Sequence, residues 1–169
     1  EHRLGEYLQA LVDRASNGHL RYEPFDFHKE CSKMRWDRLS LLMDKLEDAL
    51  TLQAYFSVDY SGKPLTTQKS VVRTNCMDCL DRTNVVQSLL ARRALRHFLV
   101  SRQVLDPKAQ ISDVPSMERA LRTIWADNAD AVSVTYSGTG ALKTDFTRTG
   151  KRTRQGALQD GVNSAVRYV

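Results

Sequence analysis

Cys76 and Arg82 stand in the spacing Cys-x5-Arg, and those two residue types at that separation suit phosphoryl transfer. A thiolate is the nucleophile, yet a free cysteine with a pKa near ~8.5 is mostly protonated at neutral pH, so the anion needs stabilising. A loop of about seven residues running into a helix can turn its backbone N–H groups inward at the helix N-terminus, where they stabilise both a thiolate and a dianionic phosphate. In this loop the backbone of Met77, Cys79 and Leu80 would supply those donors. Arg82 can then bind two phosphate oxygens side by side, a geometry that Lys does not match. Attack of the Cys76 sulfur on phosphorus gives a phosphocysteine that water later hydrolyses. Thr83 is placed to donate a hydrogen bond to the sulfur and to cap the helix.

With 17 arginines and three cysteines in 169 residues, the spacing alone is weak evidence, so its context matters. Here the pair follows Val71-Val72-Arg73-Thr74-Asn75, which reads as a strand end, and precedes a helix start. Cys76-Met77-Asp78-Cys79 is also a Cys-x-x-Cys, which can be a redox pair or half of a zinc site. Zinc needs two more ligands, and Cys31, His2, His19, His28 and His97 offer no matching pair; neither alternative requires Arg82. These residues call for no metal and no other cofactor. A reversible Cys76–Cys79 disulfide that protects the nucleophile is compatible with the phosphoryl-transfer reading.

The leaving oxygen needs a general acid, and the loop contains Asp78 and Asp81. A carboxylate beside a bound phosphate dianion is electrostatically disfavoured, which favours the protonated form that an acid requires. Either residue fits, and the competing reading is that one of them accepts loop N–H bonds or pairs with Arg73.

The elements that must position this loop follow from hydrophobic spacing. Leu4, Tyr7, Leu8, Leu11, Val12 and Ala15 predict a first helix stopped at Asn17-Gly18. Residues 20–27 read as extended, interrupted at Pro24. A second helix is predicted from about Lys33 to Leu50, burying Trp36, Leu39, Leu42, Met43, Leu46 and Leu50. Residues 54–60 read as a strand, Ser61-Gly62-Lys63-Pro64 as a turn, and residues 70–74 as a second extended run. A helix is predicted from Thr83 to about Val100, and another from about Pro115 to Tyr136 with Gly138 as its C-terminal cap. Residues 137–156, rich in Gly, Thr and basic side chains, read as a loop, and residues 157–169 as a last helix. The fold class is α/β: a mixed sheet flanked by helices, with the phosphate loop between a strand and a helix.

Composition sets the frame. At 41% hydrophobic residues and net charge +5, the chain is an ordinary globular one, long enough to bury a core as a single domain without disulfides. Three cysteines, two of them in one motif, fit thiols kept for chemistry. No apolar run approaches the roughly 20 residues that span a bilayer, and Glu1-His2-Arg3-Leu4 is neither a signal nor a transit peptide. The surplus charge is local: residues 71–100 carry net +3 and residues 143–169 net +4, while 1–70 and 101–142 are each at −1. The partners this favours are anionic, either phosphorylated small groups or a membrane surface. Nucleic acid is disfavoured because the basic windows lack interleaved stacking aromatics, and no oligomer is implied. Lys143, Arg148, Lys151, Arg152 and Arg154, offset only by Asp145 in their loop, suit inositol phosphates or anionic headgroups.

These motifs also carry a resemblance. Arg73-Thr74-Asn75-Cys76-Met77-Asp78-Cys79-Leu80-Asp81-Arg82-Thr83-Asn84-Val85 resembles the signature of the Sac-domain phosphoinositide phosphatases. The similarity extends to Phe25-Asp26-Phe27-His28-Lys29-Glu30-Cys31, Met34-Arg35-Trp36-Asp37-Arg38, Trp125-Ala126-Asp127-Asn128-Ala129, and the run from Gly138 to Arg148. It is greatest to the endoplasmic reticulum and Golgi branch and implies metal-independent dephosphorylation of phosphatidylinositol monophosphates, chiefly the 4-phosphate. It further implies that residues 1–169 are the C-terminal part of a catalytic domain, itself soluble, from a protein acting at the cytoplasmic face of those membranes. Family members carry a separate N-terminal subdomain and membrane segments besides. Lys143 and Arg148 fall within the matched segment as substrate contacts, and His28 and Lys29 lie in a recurring family motif that can approach the site. Trp125 reads as core, with Asp127 and Asn128 orienting the phosphate loop from behind. A protein tyrosine or dual-specificity phosphatase, or a phosphoinositide-binding module without turnover, shares the same features.

Overall fold

The computed structural model describes residues 2–15 and 18–167 and divides the chain into two compact units, residues 1–46 and 47–169. In the first, α1 (His2–Ala15) follows the predicted periodicity, although Leu4, Tyr7 and Leu11 on its apolar stripe are exposed. Asn17, half of the predicted stop, lies outside the described residues; Gly18 takes a positive φ of 82°. Residues 20–26 form no strand. A short helix α2 (Phe27–Glu30) starts where the Asp26 carboxylate accepts the Lys29 N–H at 3.0 Å.

The next helix, α3 (Leu39–Gln53), begins later than the apolar spacing predicts. Lys33 adopts a left-handed φ of 55°, and 3₁₀ turns at Ser32–Met34 and Trp36–Arg38 occupy the intervening chain. Phe27 meets Trp36 edge-to-face at 6.5 Å, and Arg38 clamps Glu30 at 2.7 and 3.1 Å, so side-chain contacts add to the short backbone turns that hold this knot.

In the second unit, β1 (Ser57–Val58) and β2 (Pro64–Thr66) form a two-stranded antiparallel ladder around the predicted turn. The broader mixed sheet is not found among the described residues. Residues 70–74 make no strand: Val71 is 81% exposed, and an extended run without a partner has no ladder to join. The chain is therefore mixed α/β with helix dominating.

Helix α4 (Asp81–Ser101) packs against α5 (Pro115–Ser137), and their contact buries Leu99, Leu105 and Ile111 with Leu95, Phe98, Met117 and Leu121 around them. Glu118 joins the two helices by accepting from Arg92 and, at 2.6 Å, from Arg122. Pro115 occupies the first turn of α5 and Gly138 (φ 71°) closes it, as the sequence predicts. The predicted loop at 137–156 contains a further helix, α6 (Thr144–Thr149), between left-handed Lys143 (φ 59°) and Gly150 (φ 74°). The last helix is α7 (Arg154–Arg167). Its polar residues Asp160, Asn163 and Arg167 are the covered ones, while Leu158, Val162 and Val166 are exposed. Among the described residues no helix is long and apolar enough to cross a membrane.

Candidate active site

The chain between Cys76 and the start of α4 is a tight, irregular turn. Cys79 takes a left-handed φ of 58°, a conformation costly for a residue with a Cβ. That turn folds the Cys79 sulfur back onto Cys76, where it accepts the Cys76 N–H at 3.2 Å and donates to the Cys76 carbonyl at 3.3 Å. Asp78 Oδ1 accepts the Leu80 N–H at 3.2 Å, an Asx turn, and lies 4.0 Å from Cys76 Sγ. The inward cradle expected of the loop is thus partly self-occupied: the donors at Cys76 and Leu80 are taken by loop side chains. Cys76 is half-buried, Met77 and Cys79 are exposed, and Leu80 is buried.

Asp81 opens α4, and Arg82 follows in its first turn. Both Asp81 oxygens are engaged: Oδ1 accepts the Leu142 N–H at 2.7 Å and Oδ2 accepts Arg167 Nη1 at 2.8 Å. Arg167 is 8% exposed and also donates to Ser133 Oγ (2.8 Å), the Gly140 carbonyl (3.2 Å) and Thr139 Oγ1 (3.3 Å). Thr83 does not cap the helix; its hydroxyl is buried without a hydrogen-bond partner among the described residues. The residue after it, Asn84, is buried, donates to the Trp125 carbonyl at 3.0 Å and accepts from Asn128 at 2.8 Å. Asn128 therefore reaches the start of α4 through Asn84, and Trp125 is half-buried.

The basic segment after α5 is wrapped around carboxylates. Arg148 pairs with Asp127 at 2.7 Å and Asp130 at 3.2 Å; the bond to Asp127 raises its already high pKa. Arg152 bridges Asp145 (2.7 Å) and Asp160 (2.5 Å), and Asp160 also accepts the Lys143 N–H at 3.0 and 3.1 Å. Burial pushes the Asp145 carboxyl up, but the Thr153 N–H, the Arg152 guanidinium, the Thr153 hydroxyl and the Phe146 N–H outweigh it and hold its pKa at about 2. Gly156 is packed so closely that a Cβ there would lie 2.2 Å from Asp145 Oδ2. A cleft of about 390 Å³ lies between α5, α6 and α7, lined by Asp130, Asp145, Asp160 and Asn163 among others. Lys151 and Arg154 are exposed, and Lys143 is half-buried.

No family model matches the chain. Curated relatives do. A Danio rerio protein named phosphatidylinositol-3-phosphatase SAC1-A is 52% identical over 165 residues, covering 98% of this chain and 28% of its own length. The Drosophila melanogaster phosphatidylinositol-3-phosphatase SAC1 is 54% identical over 159 residues, 94% of this chain and 27% of the relative. The chain is homologous to the Sac phosphoinositide phosphatases. A more divergent relative, the Arabidopsis thaliana phosphoinositide phosphatase SAC6, is 40% identical over 168 residues, 99% of this chain and 28% of the relative. The chain thus spans a little over a quarter of the length of the Sac proteins it matches.

Within this Sac homologue, the second unit brings Asp81 to Leu142, Asn128 to Asn84, and Asp127 to Arg148. His28 and Lys29 are exposed on α2 in the first unit, where the Lys29 N–H serves the Asp26 cap. The residues that sequence reasoning passed over are Asn84, Asp130, Asp160 and Arg167. Asn84 carried a signal, being a polar residue two positions after Arg82 in the run 73–85. Arg167 carried none, because its partners are supplied by distant segments. Cys31, by contrast, is buried, and burial raises its thiol pKa, which makes it an unreactive packing residue. Among the described residues no group of three or more His, Cys, Asp or Glu converges as a metal site.

Proposed function

We propose that the chain carries the catalytic loop of a phosphoinositide phosphatase acting on phosphatidylinositol monophosphates in an anionic membrane surface. The observation that carries this reading is the junction at α4. Cys76 lies five positions ahead of Asp81, the first residue of the 21-residue helix α4, Arg82 sits in its first turn, and the buried Thr83 hydroxyl has no hydrogen-bond partner among the described residues. Near-50% identity to proteins named as phosphoinositide phosphatases supports the substrate class.

In the proposed reaction the Cys76 thiolate attacks phosphorus, the bond from phosphorus to the inositol oxygen breaks, and the leaving oxygen takes a proton. Water then attacks the phosphocysteine, the S–P bond breaks, and inorganic phosphate leaves with the thiolate restored. Arg82 binds two equatorial phosphate oxygens, joined by loop N–H groups at Met77, Cys79 and Leu80 as the loop opens around the phosphate. Thr83 donates to the departing sulfur. Of the two candidate acids, Asp78 is favoured, since it lies 4.0 Å from Cys76 Sγ while both Asp81 oxygens are held by other donors. Lys143 completes the anionic headgroup site, and Arg148 acts through its pairing with Asp127 and Asp130. Placement at endoplasmic reticulum or Golgi membranes belongs to the same proposal.

The deciding experiment measures phosphate release from liposomes carrying each phosphoinositide in turn and from a phosphotyrosine peptide, with Cys76→Ser as control. Release confined to monophosphorylated lipids and lost in Cys76→Ser is the expected result. The arms with 3-phosphate and 4-phosphate separate the position in the relatives' names from the one that the family resemblance implies. Activity confined to the peptide overturns the assignment, and lipid binding without release replaces it with a binding module.

A further inference from the structure

We propose that Arg167, the last described residue of α7, is a positioning residue for the Cys76 loop and acts through Asp81. The proposal rests on the reading of Cys76 and Arg82 given above, but its geometry is independent of substrate.

Asp81 and Arg82 are consecutive, so their Cα atoms are fixed about 3.8 Å apart and whatever anchors Asp81 also fixes where the Arg82 side chain begins. Two anchors hold Asp81. One is the Leu142 N–H, the other Arg167 Nη1 at 2.8 Å. Arg167 is in turn set by three oxygens from two segments: Ser133 on α5, and Thr139 and Gly140 just after it. Ser133 is fully buried and Thr139 is 8% exposed, so the guanidinium sits in a built polar socket rather than on a surface. Its planar donors reach all four partners at once, which a lysine ammonium on a flexible stem does not reproduce.

Leu142 lies next to Lys143, so the Asp81 carboxylate also ties the helix that carries Arg82 to the segment that carries the proposed headgroup cation. One carboxylate thereby registers the two halves of an anion site, and Arg167 holds that carboxylate in place. A general acid with both oxygens accepting from fixed donors is badly placed to deliver a proton. Asp81 is therefore an anchor, and the residue that orients it is 86 positions away.

The test compares wild type, Arg167→Lys, Asp81→Asn and the double variant in the full chain. Three readouts are taken: lipid phosphate release, thermal melting, and the pH dependence of Cys76 alkylation by iodoacetamide followed by peptide mass spectrometry. Expected results are a fall in kcat of tenfold or more for Arg167→Lys with KM within about twofold, a similar fall for Asp81→Asn, and no further loss in the double variant. The Cys76 alkylation profile departs from that of wild type in each, while the protein stays folded at the assay temperature. Wild-type kcat together with an unmoved alkylation profile in Arg167→Lys overturns the proposal. So does additive loss in the double variant. If Arg167→Lys does not fold, Asp81→Asn decides by the same two criteria. Absence of phosphate release from every lipid by wild type overturns the proposed function instead, and the alkylation profiles still decide the role of Arg167.

Discussion

The Asp81 carboxylate and the Arg167 guanidinium meet at 2.8 Å although 86 residues separate them, and the arginine is among the most enclosed charged side chains of the second unit. Breaking such a pair from one side leaves a charge without its counterpart, which typically costs about 3–5 kcal/mol. Arg167→Met is expected to lower the unfolding free energy by about 3 kcal/mol, read from urea titrations, whereas the paired change Asp81→Leu with Arg167→Met recovers much of that loss. A double variant no better than the single one would show that the socket, and not the charge pair, sets the cost.

Thr83 presents the opposite case, a buried hydroxyl with no partner among the described residues. Leaving such a group unsatisfied costs about 1–3 kcal/mol, so the near-isosteric Thr83→Val should raise stability by about 1 kcal/mol. The same variant should accumulate phosphocysteine in rapid-quench experiments, because the hydroxyl proposed to assist sulfur departure is gone. A variant that is more stable and turns over normally would remove Thr83 from the mechanism.

Asp145 ties stability to acid. Its folded pKa of about 2 lies below the ordinary value of 3.8, so the unfolded chain binds a proton at higher pH than the folded one. The contribution is therefore fully present above about pH 4 and lost as pH falls through about 2, with a size of about 2 kcal/mol. Asp145→Asn should be less stable than wild type at pH 7 by about that amount, and the two unfolding curves should converge near pH 2. Parallel curves over that range would assign the acid sensitivity elsewhere.

Lys151 and Arg154 are exposed, whereas Arg148 and Arg152 are engaged by aspartates. Attraction to an acidic bilayer of about 1 kcal/mol per basic residue corresponds to roughly a fivefold change in partitioning. Sedimentation with phosphatidylserine vesicles should show that loss for Lys151→Gln and for Arg154→Gln, diminishing at high salt. Equal losses in Arg148→Gln, with the fold intact, would mean that its aspartate pairs open at the membrane.

The Cys79 sulfur, folded onto the Cys76 backbone, is placed to trap an oxidised neighbour. Peroxide converts the Cys76 thiolate to a sulfenic acid, and condensation with the Cys79 thiol releases water and forms the disulfide. Activity lost to mild peroxide should return with dithiothreitol in wild type but not in Cys79→Ser, where oxidation continues to the sulfinic acid. Equal recovery in both would exclude Cys79 as the resolving thiol.

Much of this was legible in the residues, and the pattern of what was not has a physical cause. Helices α1, α4 and α5 followed their apolar periodicity, and Gly138 closed α5 because a left-handed cap favours glycine. The Cys76–Arg82 junction was legible as a spacing. Helix α6 was not: Thr144–Thr149 has almost no apolar residue, and it is held by Asp145, Arg152 and Thr153 rather than by a hydrophobic face. For α7 the usual rule inverts, since its covered side is the polar one. The extended run at 70–74 failed as a strand because β propensity cannot supply a partner. Charge partners such as Arg148 with Asp127, or Arg167 with Asp81, come from segments whose approach only the folded chain defines.

Gly156 carries a consequence for reading homologous chains. With a Cβ placed there 2.2 Å from Asp145 Oδ2, any side chain at this position displaces the carboxylate that receives Arg152 and Thr153. A relative with alanine or serine at the equivalent of Gly156 must therefore have changed its Asp145 equivalent as well, or have moved the turn leading into α7. The two positions should vary together, which makes Gly156, 80 positions along the chain from the proposed nucleophile Cys76, a marker for whether a homologous sequence keeps this arrangement of α6.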